Sequence, residues 1–292
     1  MKSLKKTIPI FLFALPLASQ AQMPVNGFMQ GKGKGAVAVS YNSESYEDVY
    51  LVPQKVNGVP VFNKVTVKST NFFATVGLSK KLDVQVNLPY IKSTGQASDA
   101  VLNNLGYQNE RKGIQDISLY LKYNPFNFKT KDGNLALMAA VGIQAPLGNY
   151  RVDESLQSIL AIGNRATQIN TILIANYKFN KGLFLNASGG YSARNNNVPS
   201  AILGEFKAGY AGKKVYVDAY IAGQSSSTGT DILKEGFNGV FPQTRVNYSR
   251  VGVNVYVPLK YGIGVSGGYS SYIAGRNLGA ASGGYGALIF SF

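Results

Sequence analysis

The 292-residue sequence contains no cysteine, no histidine and no tryptophan. Without cysteine there is no disulfide framework and no thiolate metal site, and without histidine the commonest metal ligand is missing as well. The same gap removes the Ser-His couple and the imidazole general base, so an enzyme would have to work with Asp, Glu, Lys or Tyr alone. No set of those residues proposes a reaction, and the expectation is a non-enzyme without a cofactor. Beyond the N-terminus there is no run of about 18 apolar residues, the minimum for a membrane-spanning helix. Acidic side chains are scarce, with 14 Asp and Glu against 29 Lys and Arg.

At the N-terminus, Lys2, Lys5 and Lys6 precede an apolar run from Ile8 to Ala18 and the small-residue site Ser19-Gln20-Ala21. That is the pattern of a secretory signal peptide. The run is interrupted by Pro9 and Pro16 and falls short of the roughly 20 residues that a transmembrane anchor needs. Cleavage is expected after Ala21, with no cysteine near the cut to accept lipid. Losing residues 1–21 removes three lysines, which lowers the formal charge from +15 to +12. An exported basic chain is expected to meet acidic lipid head groups or anionic solutes rather than nucleic acid.

From about Gly33 onward the sequence alternates with period two. Leu82, Val84, Val86, Leu88 and Tyr90 alternate with Asp83, Gln85 and Asn87; Ile117, Leu119, Leu121 and Tyr123 alternate with Asp116, Ser118, Tyr120, Lys122 and Asn124. Each such segment has one apolar and one polar face, as a strand does. Read this way, strands fall at roughly 33–42, 64–79, 82–93, 113–124, 134–147, 165–179, 182–194, 200–211, 214–225, 244–258, 262–274 and 281–292. Short connections (79–81, 125–133, 180–182, 212–214, 259–262) alternate with longer ones (43–63, 94–112, 148–164, 195–199, 226–243, 275–280). In an up-and-down barrel every second connection lies on the same rim, so this alternation predicts short periplasmic turns and long external loops. The expected architecture is an all-β, transmembrane, antiparallel up-and-down β-barrel of about 12 strands over residues 33–292. Residues 22–32 are expected to form a short periplasmic lead-in, too small for a plug domain.

If the apolar faces meet lipid, the opposite faces line the lumen. The candidate lining is Lys68, Asp83, Asp116, Lys122, Arg194, Glu205, Lys207, Asp218 and Arg250, with Tyr120, Tyr216 and Tyr220. A Lys or Arg facing lipid at the midplane would cost about 2–4 kcal/mol. These charges suit either a salt-bridged, hydrated filling or a solute path, and Glu205 and Lys207 are placed to pair. Tyr41, Tyr90, Tyr123, Tyr177, Phe179, Tyr191, Tyr210 and Phe292 fall near strand ends, where a girdle of rings suits the membrane boundary.

The order ATVGLSKKLDVQVNLPY, GIQDISLYLKYNPF, AAVGIQAPLGNY and ILAIGNRATQINTILIANYKF resembles the outer-membrane family labelled "putative MetA-pathway of phenol degradation". The matching positions are Leu88-Pro89-Tyr90, Gly113 with Asp116, Pro146 with Gly148, and Gly163. The resemblance covers residues 74–180, and the rest agrees in pattern only. It implies an outer-membrane barrel that passes small hydrophobic or aromatic compounds, and it supplies no catalytic residues. The sequence leaves two alternatives open: a narrow porin for anions or oligosaccharides, and a structural or surface-binding barrel.

The last strand places Leu288, Phe290 and Phe292 at every second position. It resembles the signal read by the barrel-assembly machinery, with Ala287 where that pattern has Gly. Expected partners are therefore that machinery, outer-membrane lipid and lipopolysaccharide, and a small hydrophobic or aromatic solute.

Overall fold

Period-two alternation resolves into twelve long antiparallel strands: β1 Gly35–Tyr46, β2 Lys64–Gly77, β3 Leu82–Gln96, β4 Asp116–Lys129, β5 Gly133–Pro146, β6 Gln168–Phe179, β7 Leu183–Arg194, β8 Ala201–Ala211, β9 Tyr216–Ser226, β10 Asn247–Pro258, β11 Ile263–Arg276 and β12 Ser282–Ser291. This computed structural model describes residues 23–292 except Pro53 and Leu233. The predicted signal peptide lies outside the described residues. Each strand pairs with the next, and β12 pairs back onto β1, so the sheet closes. Closure matters because an unpaired backbone group in lipid costs several kcal/mol.

The closing ladder runs from Ala36 opposite Ser291 to Ser45 opposite Ser282. It is finished by reciprocal bonds between Gly35 and Phe292, in which each N–H donates to the other's carbonyl at 3.0 Å. Leu288, Phe290 and Phe292 all point outward, Leu288 with 64% of its surface exposed. Deleting Phe292 removes both terminal bonds and the last ring. The expected result is loss of most heat-modifiable barrel on unboiled gels and accumulation of unassembled chain; normal yield of folded barrel would contradict it.

One rim carries the short turns. Tyr261 and Gly262 both adopt positive φ (59° and 79°) in the β10–β11 turn, which is the twist a two-residue hairpin needs. The other rim carries the long loops. They contain a helix α1, Asp99–Leu105, begun by Ser98 and ended by Gly106 at φ 66°. They also contain a small sheet made of Asp48–Tyr50, Lys55–Asn57 and Leu278–Gly279.

The fourth strand departs from expectation. Instead of one strand over 113–124, Glu110–Ile114 pairs with β3 alone, and β4 begins after a break at Gln115. The Gln115 N–H donates to the Pro89 carbonyl at 2.9 Å. In an antiparallel ladder a residue turns its N–H and C=O toward the same neighbour, and Pro89 has no N–H to return. The seam therefore breaks where a donor is missing. Lower down, β4 runs on through Pro125 to Lys129, with a register shift between Tyr123 and Phe126; the segment expected as a turn from 125 is mostly strand. Proline is accommodated in sheets at such bulges.

Candidate functional site in the barrel interior

The barrel inverts the usual distribution of polarity. Val37, Val39, Phe72, Leu121, Leu173 and Val253 are exposed on the outer wall, while Asp83, Asp116, Lys122, Glu205, Lys207, Asp218 and Arg250 are buried inside. Buried charges must be paired and hydrogen-bonded. Lys122 lies 3.5 Å from Asp83 and Lys207 lies 3.5 Å from Glu205. Lys207 also stands 5.5 Å from the ring centroid of Tyr220. Arg250, 1% exposed, donates to Glu44 at 2.8 Å and Ser270 at 2.6 Å and stacks 4.7 Å above Tyr272. Asn254 donates to Asp218 at 2.9 Å, and Arg194 donates to Gln224 at 2.8 Å. Asn170 donates to the Tyr120 hydroxyl at 2.8 Å, and Tyr216 stacks on Phe184 at 5.4 Å.

One expected lining residue is elsewhere. Lys68 is exposed on the outer wall, while Val65, Ser69, Asn71 and Phe73 face in. This end of β2 is apolar on its inner side, which inverts the phase that alternation alone predicts. Val65 packs with Phe62, Leu102 and Leu160 beneath the folded-in loops, so here the apolar face is the interior one. Glu44 went unnoticed because β1 extends past residue 42, where the alternation in the sequence fades.

The lead-in expected in the periplasm lies inside the barrel. At the short-turn rim Lys32 bridges to Gly77, and residues 30 to 23 then climb the lumen. The Gln30 N–H donates to Asp83 at 3.0 Å and the Met23 N–H donates to Glu205 at 3.3 Å. Lys122 donates to the carbonyls of Asn26, at 3.1 Å, and Phe28, and Gln85 donates to the Pro24 carbonyl. Phe28 inserts edge-on against Phe184 at 5.2 Å and Tyr216 at 6.2 Å. Met23 and Val25 pack against Tyr120, Met138, Ile172 and Ile174. The charged lining thus grips the backbone of a luminal segment at four points.

Two cavities lie above this floor. The lower, about 410 Å³, has polar and apolar lining in nearly equal measure and touches Met23, Gln85, Asp116, Tyr120, Asn170 and Arg194. The upper, about 360 Å³, lies among the long loops and is mainly apolar, touching Val49, Leu51, Leu156, Ile232, Phe237, Phe241 and Leu278. Tyr46, Ile159, Ala161, Gly163 and Asn164 border both and form the neck between them. Apart from Tyr46 of β1, the neck belongs to the 147–167 loop, which is tied inward to the wall: the Tyr150 hydroxyl donates to Asp116 and accepts the Arg165 N–H at 3.1 Å. The upper cavity is braced by Arg276, which bonds both oxygens of Asp231 at 2.8 and 2.7 Å. Arg276, with help from Asn277, pushes the Asp231 carboxyl down to about 2. This brace is fully present above the ordinary carboxylate range and is lost only as pH falls toward about 2.

Residues 52–285 match the family model described as "Putative MetA-pathway of phenol degradation". The chain belongs to this family. The match extends on both sides of residues 74–180, where the sequence resemblance is plainest. The positions that carry that resemblance come together in space, at the seam where the wall breaks and the neck loop turns in. Pro89 and Asp116 flank the break. Gly148 crosses so close to the Ile114 carbonyl that a side chain there would collide, and Gly163 lies under the Tyr150 hydroxyl. The fold is similar to that of the COG4313 outer membrane channel from Pseudomonas putida F1, at 14% identity and a TM-score of 0.70 over 96% of this chain and 100% of that one. Less similar are the translocator domain of autotransporter NalP from Neisseria meningitidis (12% identity, TM-score 0.48, 90% and 89% covered) and the TodX deltaS2S3 mutant monoaromatic hydrocarbon channel (8%, 0.42, 89% and 90%). No curated protein matches the chain in a sequence search.

Proposed function

We propose that the protein is a passive channel of the bacterial outer membrane that takes up small hydrophobic or aromatic solutes and catalyses no reaction. The short turns then lie on the periplasmic side and the long loops outside. The observation that carries this reading is the apolar cavity of about 360 Å³ at the long-loop rim, which shares the neck residues Ile159, Ala161, Gly163 and Asn164 with the cavity of the lumen below. Pockets for small molecules are concave, mainly apolar, and supplied with a few polar groups that orient the ligand. Phe237 and Phe241, with ring centroids 5.5 Å apart, offer an edge-to-face wall suited to a planar ring. Family membership supports the same reading.

The test is uptake of toluene and, separately, of a small sugar into proteoliposomes. Leu156→Arg puts a charge into the apolar cavity, and we expect it to slow toluene uptake about tenfold or more, because a cation without a partner resists such a site. Wild-type uptake no faster than protein-free liposomes would overturn the proposal. A second reading, a rigid structural barrel, is favoured by the segment 23–30 that fills the lower lumen, and it predicts that silent outcome. Arg194→Glu reverses one charge facing the lower cavity. It is expected to shift the residual ionic current toward cations, measured as a reversal potential across a salt gradient; an unchanged potential would remove Arg194 from the path.

A further inference from the structure

The outer wall carries one cluster of like charge that the channel reading does not use. Lys68 on β2 lies directly opposite Lys92 on β3, and Lys92 lies directly opposite Lys112 on the Glu110–Ile114 strand. All three project outward; the Lys92 and Lys112 side chains are 41% and 60% exposed. Directly opposed side chains have Cβ atoms about 4.5–5.5 Å apart, and like charges so placed repel. Only Glu110 offsets them, at 2.6 Å from Lys92 and 3.1 Å from Lys112. Lys68 has no carboxylate within ion-pair distance among the described residues. Three cations thus share one anion.

The position of this row within the wall says what is missing. One step down the same strands, Tyr41, Thr70, Tyr90 and Ile114 form the next outward row, and below it lie Val39, Phe72 and Leu88. Tyr41, Phe72 and Tyr90 are exposed there. The lysines therefore begin where the lipid-facing apolar band ends, at the level of lipid phosphates rather than in the loops. A phosphate there would bridge adjacent ammonium groups through charge-assisted hydrogen bonds.

We propose that Lys68, Lys92 and Lys112 form a binding site for the phosphate-bearing headgroup of a membrane lipid in the leaflet at the long-loop rim. The site rests on the outer-membrane reading for its choice of leaflet, and its chemistry is independent of what the lumen carries. A lipid is favoured over a free anion because its acyl chains would lie on the apolar wall immediately beneath the lysines. Juxtamembrane cations near an anionic surface each contribute enough to change affinity about fivefold.

The test uses the full-length protein in detergent, titrated with bisphosphorylated lipid A, dephosphorylated lipid A, or inorganic phosphate, with bound lipid counted by native mass spectrometry. Wild type should retain phosphorylated lipid A, and each lysine-to-alanine change should weaken retention about fivefold. The comparison variant is Lys213→Ala/Lys214→Ala at the opposite rim, which should leave retention unchanged. Heat-modifiable migration confirms that each variant is folded, which is expected since the three side chains leave the wall outward. Equal retention by Lys68→Ala/Lys92→Ala/Lys112→Ala and wild type would overturn the site. Equal retention of dephosphorylated lipid A, or full displacement by inorganic phosphate, would overturn the lipid phosphate as its occupant. Toluene uptake tests the channel separately, so failure of either proposal is visible without the other.

Discussion

Removing residues 23–30 is expected to raise single-channel conductance in planar bilayers on the order of tenfold, since a barrel of this strand number encloses more space than its own side chains fill. The lower lumen is narrowed by this segment, which lies inside the wall. Phe28 meets the stacked rings of Phe184 and Tyr216 edge-on, and Lys122 donates its hydrogen bonds to the carbonyls of Asn26 and Phe28. Without the segment Lys122 keeps Asp83, 3.5 Å away, and Glu205 keeps Lys207, so the wall remains charge-balanced and gains water. The lost apolar burial at Phe28 alone is worth about 1.5–3 kcal/mol, which a closed barrel tolerates.

A point probe checks the same idea without disturbing export. The chain has no native cysteine, so Phe28→Cys supplies a unique thiol. In the folded barrel that thiol should resist a bulky maleimide added from either rim, and unfolding should release it. Rapid labelling in the folded barrel, or unchanged conductance after deletion, would mean that the segment leaves the lumen in solution.

The twelve strands were legible because alternation is forced: each residue must choose between lipid and lumen, and polar residues chose the lumen on nearly every strand. Tyr120, Tyr216, Tyr220, Asp83, Lys122, Glu205 and Arg250 could be placed inward on that ground alone. The luminal segment was not legible, because its polar contacts are all made through its backbone or a single Asn26 side chain and only Met23, Val25 and Phe28 add apolar packing. Asp83 and Glu205 accept main-chain N–H groups and Lys122 caps main-chain carbonyls, so residues 23–30 need no pattern of their own. Lys68 was misplaced for a related reason. Near the long-loop rim the interior is covered by folded-in loops and becomes apolar, and alternation read as lipid against water then has the wrong sign. The break at Gln115 was implicit in Pro89, whose missing donor becomes informative only once the neighbouring strand is known. The neck followed the same logic: Gly148 and Gly163 fall in the single long connection at 148–164, but only the fold shows that this loop turns inward and that both glycines sit at close approaches.

Arg250→Ala should be the most destabilising single substitution in the wall, by about 3–5 kcal/mol, since it strands a carboxylate from which its partner has been taken. Arg250 is 1% exposed and the Glu44 side chain 13%, so water can replace little of what is lost. Glu44 lies on β1 and Arg250 on β10, with Ser270 and Tyr272 of β11 completing the set, so the pair reaches across β11 and β12 and braces the closing seam. Glu44→Gln alone should cost less, because Arg250 retains Ser270 and the Tyr272 ring. The informative variant is Arg250→Met/Glu44→Gln, which removes both charges and keeps the volume. If the penalty comes from an uncompensated charge, the double variant recovers most of the loss, read as the denaturant midpoint of the barrel in detergent. If it is as unstable as Arg250→Ala, the arginine acts through its packing over Tyr272, and the seam depends on shape instead of charge.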